Sequence, residues 1–135
     1  MGQSKSYLAL DVGEKRIGVA VGDDAVKIAV PFDTIEVDEG DAVTRIARIV
    51  VDERVDTIVV GYPRNQSGEA TAQTKFAEDF AAKLTDIAPN IVFQDESLTS
   101  VLAEQRLKAY KRPYSKGDID AQAAAIILQD YLEQS

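Results

Sequence analysis

Tyr7-Leu8-Ala9-Leu10-Asp11-Val12-Gly13-Glu14-Lys15-Arg16-Ile17-Gly18-Val19-Ala20 decides how this chain folds: an apolar run ends on a carboxylate, turns at a glycine and resumes as a second apolar run. Short runs of this composition predict two strands, Tyr7 to Val12 and Ile17 to Val21, joined at Gly13. Such a unit holds Asp11 rigidly at a sheet edge, where a carboxylate can bind a metal ion or a phosphate-bearing ligand.

Outward from that unit, Ile28 to Val37 predicts a third strand after the polar Gly22-Asp23-Asp24 break, and three successive strands suggest a meander. Val43, Ile46, Ala47 and Val50 then follow helical spacing. Thr57 to Gly61 reads as a strand apolar on both sides, hence central, ending at Tyr62-Pro63. After the polar loop Arg64 to Gly68, Phe76, Ala77, Phe80 and Leu84 mark a second helix. Ile91 to Gln94 predicts a strand running into Asp95-Glu96, and Leu98, Val101 and Leu102 open a third helix. Lys108 to Gly117 reads as a loop, and a last helix runs from about Asp118 to Leu132. This order predicts one α/β domain over 1–135, a five-stranded mixed sheet with helices on both faces whose later strands enter through right-handed crossovers.

With no cysteine and no histidine in 135 residues, disulfides, thiolate or imidazole zinc sites, cysteine nucleophiles and histidine bases are all excluded. Catalysis, if any, falls to carboxylates, lysine, hydroxyls or a metal, and carboxylates suit magnesium or manganese. The net charge of −8 opposes polyanion binding at long range, but its distribution is uneven. Arg106, Lys108, Lys111, Arg112 and Lys116 face only Glu104 between Val101 and Lys116, a local +4 that leaves −12 for the rest. The absence of a long apolar stretch or a basic-then-apolar leader makes the cytoplasm the expected location, with no membrane partner.

Three acids stand where chemistry collects. Asp11 ends the first strand; Glu96 ends the strand from Ile91, and the carboxyl ends of parallel strands are where ligands bind. In the last helix, Asp120 shares a face with Ala123, Ala124 and Ile127, the face that must press on the sheet, while Asp118 lies about 200° away and is expected to be the helix cap. An acid aimed at the core beside two alanines is costly to bury unless paired or metal-bound, which favours a ligand role for Asp120. If the first strand lies between the second and fourth, the Glu96 strand is two places away, about 9 to 10 Å, so Glu96 must lean inward or act through water. Three acids so placed can converge as two-metal phosphodiester hydrolysis requires.

On these residues the chain resembles the YqgF/RuvX family of Holliday junction resolvases. The resemblance rests on Asp11 to Ala20, on Val60-Gly61-Tyr62-Pro63-Arg64-Asn65 with Gly68, on Asp95-Glu96-Ser97-Leu98-Thr99-Ser100, and on Ile119-Asp120-Ala121-Gln122-Ala123-Ala124 with Ile127-Leu128-Gln129. It implies a ribonuclease H-like fold and a Mg2+- or Mn2+-dependent nuclease whose acids fall on Asp11, Glu96 and Asp120. The implied partners are branched DNA or structured RNA, with 5′-end processing of pre-16S rRNA in the small-subunit precursor among the family's roles. Two departures stand out: Ser97 replaces the family's usual arginine and Ser100 its threonine. Gly61 occupies a strand tip where related nucleases of this fold can carry an acid.

Lys15, Arg16 and Arg64 are expected near the strand ends, and Lys108, Lys111, Arg112 and Lys116 are interleaved with Tyr110 and Tyr114. These cations could neutralise phosphates while tyrosines stack on unpaired bases, or they could be an ordinary solvated surface. Two other classes remain open: a nucleic-acid or ribosome-associated binding module of the same fold that cleaves poorly, and an actin-like ATPase, which needs two such lobes. A monomer or weak homodimer is expected.

Overall fold

The computed structural model describes residues 4–37, 41–63, 71–96 and 99–134. Strands β1 (Ser6–Val12), β2 (Arg16–Asp23) and β3 (Val30–Glu36) come first, followed by α1 (Ala42–Asp52), β4 (Val55–Pro63), α2 (Ala72–Ala82), β5 (Asn90–Glu96), α3 (Thr99–Ala109) and α4 (Lys116–Gln134). The five strands expected from the sequence all form, and β1, β2 and β3 make the antiparallel meander. β4 and β5 join in parallel, giving the order β3-β2-β1-β4-β5. Asp11 therefore stands at the carboxyl rim of the middle strand rather than at a lateral edge.

Alternation of side chains along the strands sorts the core into two layers. On one face Leu8, Leu10, Ile17, Val19, Ile58 and Val60 pack with Ile46 and Val50 of α1 and Ala77 and Ala81 of α2. On the other, Tyr7, Ala9, Ala20 and Val59 pack with Ala124, Ile127, Leu128 and Leu132 of α4. α3 lies on α4 through Ala103, Ala123 and Ile126. Covered by the sheet on one side and α3 on another, α4 is buried continuously from Ala121 to Leu128, which explains its small-residue, apolar sequence.

Caps fix where the helices begin. Asp41 accepts the Val43 and Thr44 amides at the start of α1, an arrangement that contributes about 1 kcal/mol. Thr71 and Thr74 cap α2 reciprocally, and the Thr74 hydroxyl also donates to the Pro63 carbonyl, tying α2 to the end of β4. The Gln129 side chain accepts from the Ala29 amide and donates to the Lys27 carbonyl, holding the β2–β3 connection against α4.

Two expectations are corrected at α4. The Ser115 amide donates to Asp118 Oδ2 at 2.9 Å and the Asp118 amide to Ser115 Oγ at 3.2 Å. This reciprocal box makes Ser115 the cap and places Asp118 inside the first turn. The helix consequently starts at Lys116, and the expected Lys108–Gly117 loop shortens to 110–115. Arg106 and Lys108 belong to the last turn of α3, where cations favour the helix dipole.

Candidate active site

The face of the sheet that carries α4 also carries the acids. Ala9 is packed on α4, so Asp11, two residues on, points the same way. Steps of two residues from Ala20 and Val59, and of four from Val92, place Gly18, Gly61 and Glu96 on that face. Asp11 pairs with Gly18 across β1–β2, and one step beyond the Leu10–Val60 pair brings Gly61 alongside it from β4. Asp11 is thus flanked on both neighbouring strands by residues without side chains.

Each glycine admits a different acid. A Cβ on Gly18 would overlap the Asp120 carbonyl and lie 2.9 Å from the Ala121 amide nitrogen, so the first turns of α4 rest directly on β2. This contact sets Asp120 at the rim. A Cβ on Gly61 would lie 2.7 Å from Glu96 Oε2 and 2.7 Å from Ile127 Cδ1. The Glu96 carboxylate therefore reaches across β4, with Oε2 buried between the sheet and α4. It leans inward as the two-strand separation requires.

Asp11 is partly buried, and its carboxyl is raised to about 6, first by burial and then by the negative charge of Asp120. Asp120 accepts a hydrogen bond from Arg16 Nε at 2.7 Å; both side chains are about a quarter exposed, at 23% and 28%. That bond pushes the Arg16 guanidinium further up from its already high value. Among the described residues no three acids lie close enough to share one ion as they stand. The chemistry of the donor set nevertheless fits a hard divalent cation: three carboxylates and no soft donor.

The cations expected to meet a polyanion fall into two groups, one at this rim and one in the α3–α4 connection. Arg16 opens β2 and turns onto Asp120, while Lys15 is exposed in the preceding turn. Lys108, Lys111, Arg112 and Lys116 are all exposed where α3 turns into α4. There Tyr110 is 52% exposed with the Arg112 guanidinium 5.6 Å from its ring centre, whereas Tyr114 is held to the fold by donating to Glu104 Oε2 at 2.8 Å. A groove of about 650 Å³ beside these tyrosines continues, through Pro31, Asp118 and Ala121, into a second depression bordered by Arg16, Phe32 and Lys116. Arg64 and Ser97 lie outside the described residues.

Sequence reasoning missed Gly18, the Arg16–Asp120 bond and the part of Pro31 and Phe32 in the groove. A glycine inside a strand signals a close approach of other backbone, so Gly18 was findable. The ion pair spans 104 positions and leaves no local signature.

A sequence model of the family described as "RuvX: Holliday junction resolvase" matches residues 5–134. A protein from Chloroflexus aurantiacus named "Putative pre-16S rRNA nuclease" is 43% identical over 130 residues, covering 93% of this chain and 85% of its own length. Another of the same name from Geobacillus kaustophilus is 41% identical over 132 residues, covering 93% of this chain and 96% of its own. Among solved structures, Thermus thermophilus RuvC in complex with a Holliday junction substrate superposes with a TM-score of 0.56 at 12% identity, over 96% of this chain and 94% of that one. At such low identity the likeness concerns the fold, which is ribonuclease H-like.

Proposed function

The chain belongs to the RuvX family, described as Holliday junction resolvase, and on that premise we propose that it is a divalent-metal-dependent endonuclease acting in the cytoplasm on structured nucleic acid, with Asp11, Glu96 and Asp120 as its metal-binding and catalytic acids. The pre-16S rRNA nuclease names of its relatives favour that precursor, whose 5′ end the family resemblance implies, over a DNA junction as substrate. The observation that carries the reading is the glycine-flanked Asp11, with Glu96 drawn over Gly61 and the Asp120 charge near enough to raise the Asp11 carboxyl.

When bound at these acids, magnesium or manganese supplies an activated water and neutralises charge on the leaving oxygen, as a two-metal site does. The protein's own part is geometric. Gly18 lets the α4 backbone down onto β2 and so positions Asp120, while Gly61 makes room for Glu96 beside the central strand. Lys108, Lys111, Arg112 and Lys116 offer phosphate contacts that fix the register of a substrate without reading its sequence, and Tyr110 offers a face for an unpaired base. Lys15 and Arg64 would add to the same electrostatic footprint.

Asp11→Asn and Asp120→Asn are expected to fold and to lose metal-dependent cleavage by more than the roughly 10- to 100-fold typical of changes to outer-shell partners. The assay follows product from a pre-16S rRNA fragment and from a four-way DNA junction in Mg2+ and in Mn2+. Full activity in both variants would remove the proposed site. RNA retention without product from the unaltered protein, on either substrate, would instead identify a binding module.

Gly61→Ala separates positioning from folding. The added methyl meets only the flexible ends of Glu96 and Ile127, so about 1 kcal/mol of stability is expected to go, while displacement of Glu96 lowers kcat roughly tenfold or more. An unchanged kcat with a normal melting curve would exclude Glu96 from the reaction.

A further inference from the structure

Asp120 already has a cation: the Arg16 guanidinium. We infer that Arg16 is a positioning residue that occupies Asp120 in the metal-free protein, and that a divalent cation enters the site by taking the Asp120 carboxylate from it. The inference rests on the metal-site reading above.

Three features make exchange the natural description. First, the bond is made through Nε to Oδ2 at 2.7 Å, a charge-assisted contact that occupies the carboxylate a cation would need. Second, the backbones at both ends are fixed. Arg16 and Gly18 lie on one strand with the same facing, and α4 is seated on Gly18 at Asp120, so only side-chain rotation can free the carboxylate. Third, Arg16 has somewhere to go. It is 28% exposed and borders the depression that also receives Lys116, so its planar fork can leave Asp120 without crossing the core. The same arrangement accounts for an unassembled triad among the described acids: one of the three carboxylates is turned toward an internal counter-ion.

The arrangement also has a chemical rationale. Without Arg16, the Asp120 carboxylate would stand in a partly buried rim near Asp11 with no cation bonded to it. Arg16 keeps the Asp120 carboxylate paired and oriented until a stronger cation arrives.

The test is Mn2+ affinity of the nucleic-acid-free protein, measured by titration calorimetry and by the loss of the free-ion electron paramagnetic resonance signal. Arg16→Met keeps the side-chain length and removes the competitor, and should bind Mn2+ about tenfold more tightly. Arg16→Lys, which keeps the charge, should fall between Arg16→Met and the unaltered protein. Lys15→Met removes the same charge one residue away without touching Asp120, and should stay within about twofold. A structural role alone would predict weaker binding on losing Arg16, the opposite direction. Equal or weaker Mn2+ binding in Arg16→Met, or equal tightening in Lys15→Met, would overturn the exchange. Asp11→Asn identifies the cause of failure: if it does not weaken Mn2+ binding, the metal site itself is misplaced and the exchange falls with it. If it does weaken binding while Arg16→Met gains nothing, only the exchange is wrong.

Discussion

Gly18→Ala is expected to lower the melting temperature by about 10 °C, the largest loss from any single added methyl at this site. The new Cβ would overlap the Asp120 carbonyl and crowd the Ala121 amide, and these are backbone atoms of a helix buried continuously from Ala121 to Leu128. No rotamer change relieves such a contact; either β2 shifts, disturbing its pairing with β1 at Asp11, or α4 lifts and opens the layer around Ala124, Ile127 and Leu128. Overpacking of this kind costs roughly 3 kcal/mol, which for a chain of this length corresponds to that fall in melting temperature. The effect should reach function too, because lifting α4 carries Asp120 away from Asp11. Thermal melts followed by circular dichroism give the first reading, and Mn2+ affinity the second. A melting temperature within a degree or two of the unaltered protein would mean that α4 does not rest on Gly18, and the placement of Asp120 would have to be rebuilt.

The same contact shows which parts of this molecule are legible in one dimension. Strands declared themselves as short continuous apolar runs, because β1 and β2 bury one set of side chains under α1 and α2 and the other under α4. The central place of β1 entered the sequence reading only as a condition, and the strand order β3-β2-β1-β4-β5 meets it. Asp120 was separable from Asp118 because a helix repeats every 3.6 residues and the alanines at 123 and 124 marked the sheet-facing side. The start of α4 was misread because Gly117 and the polar residues around it look like a turn. In fact Ser115 and Asp118 satisfy each other's amides, and the helix tolerates a glycine in its first turn, where the Gly117 carbonyl accepts from the Thr34 hydroxyl at 2.6 Å. The Arg16–Asp120 bond was out of reach: nothing near either residue records a partner 104 positions away. Electrostatic pairs of this kind appear only once packing has set the backbone distances.

Asp11→Asn is expected to stabilise the protein at neutral pH while abolishing its chemistry. In the folded protein the Asp11 carboxyl is raised to about 6 by burial and by the Asp120 charge; in the unfolded chain it returns to about 3.9. Between those values the folded protein keeps a proton that the unfolded chain has lost, so its stability falls as pH rises from about 4 to 6 and remains at the lower value above that range. Below about 4 the carboxyl is protonated in both states and the penalty disappears. Because Asp11 retains some contact with water, the cost of its charge at pH 7 is on the order of 2 kcal/mol. Asparagine has nearly the same shape and no charge to desolvate, so the variant should gain about that much at pH 7 and nothing at pH 4. Denaturant unfolding at both pH values measures the difference. Excess Mg2+ should narrow it, since an ion that binds only the folded form adds stability to the unaltered protein and little to the variant. A variant less stable than its parent at pH 7, or a gain that persists at pH 4, would mean that Asp11 is held by ordinary hydrogen bonds rather than in an electrostatically strained rim. The strain is what makes a functional assignment physical. A carboxylate held at an energetic disadvantage on the central strand, beside a second acid, costs stability that a cation bound there would restore.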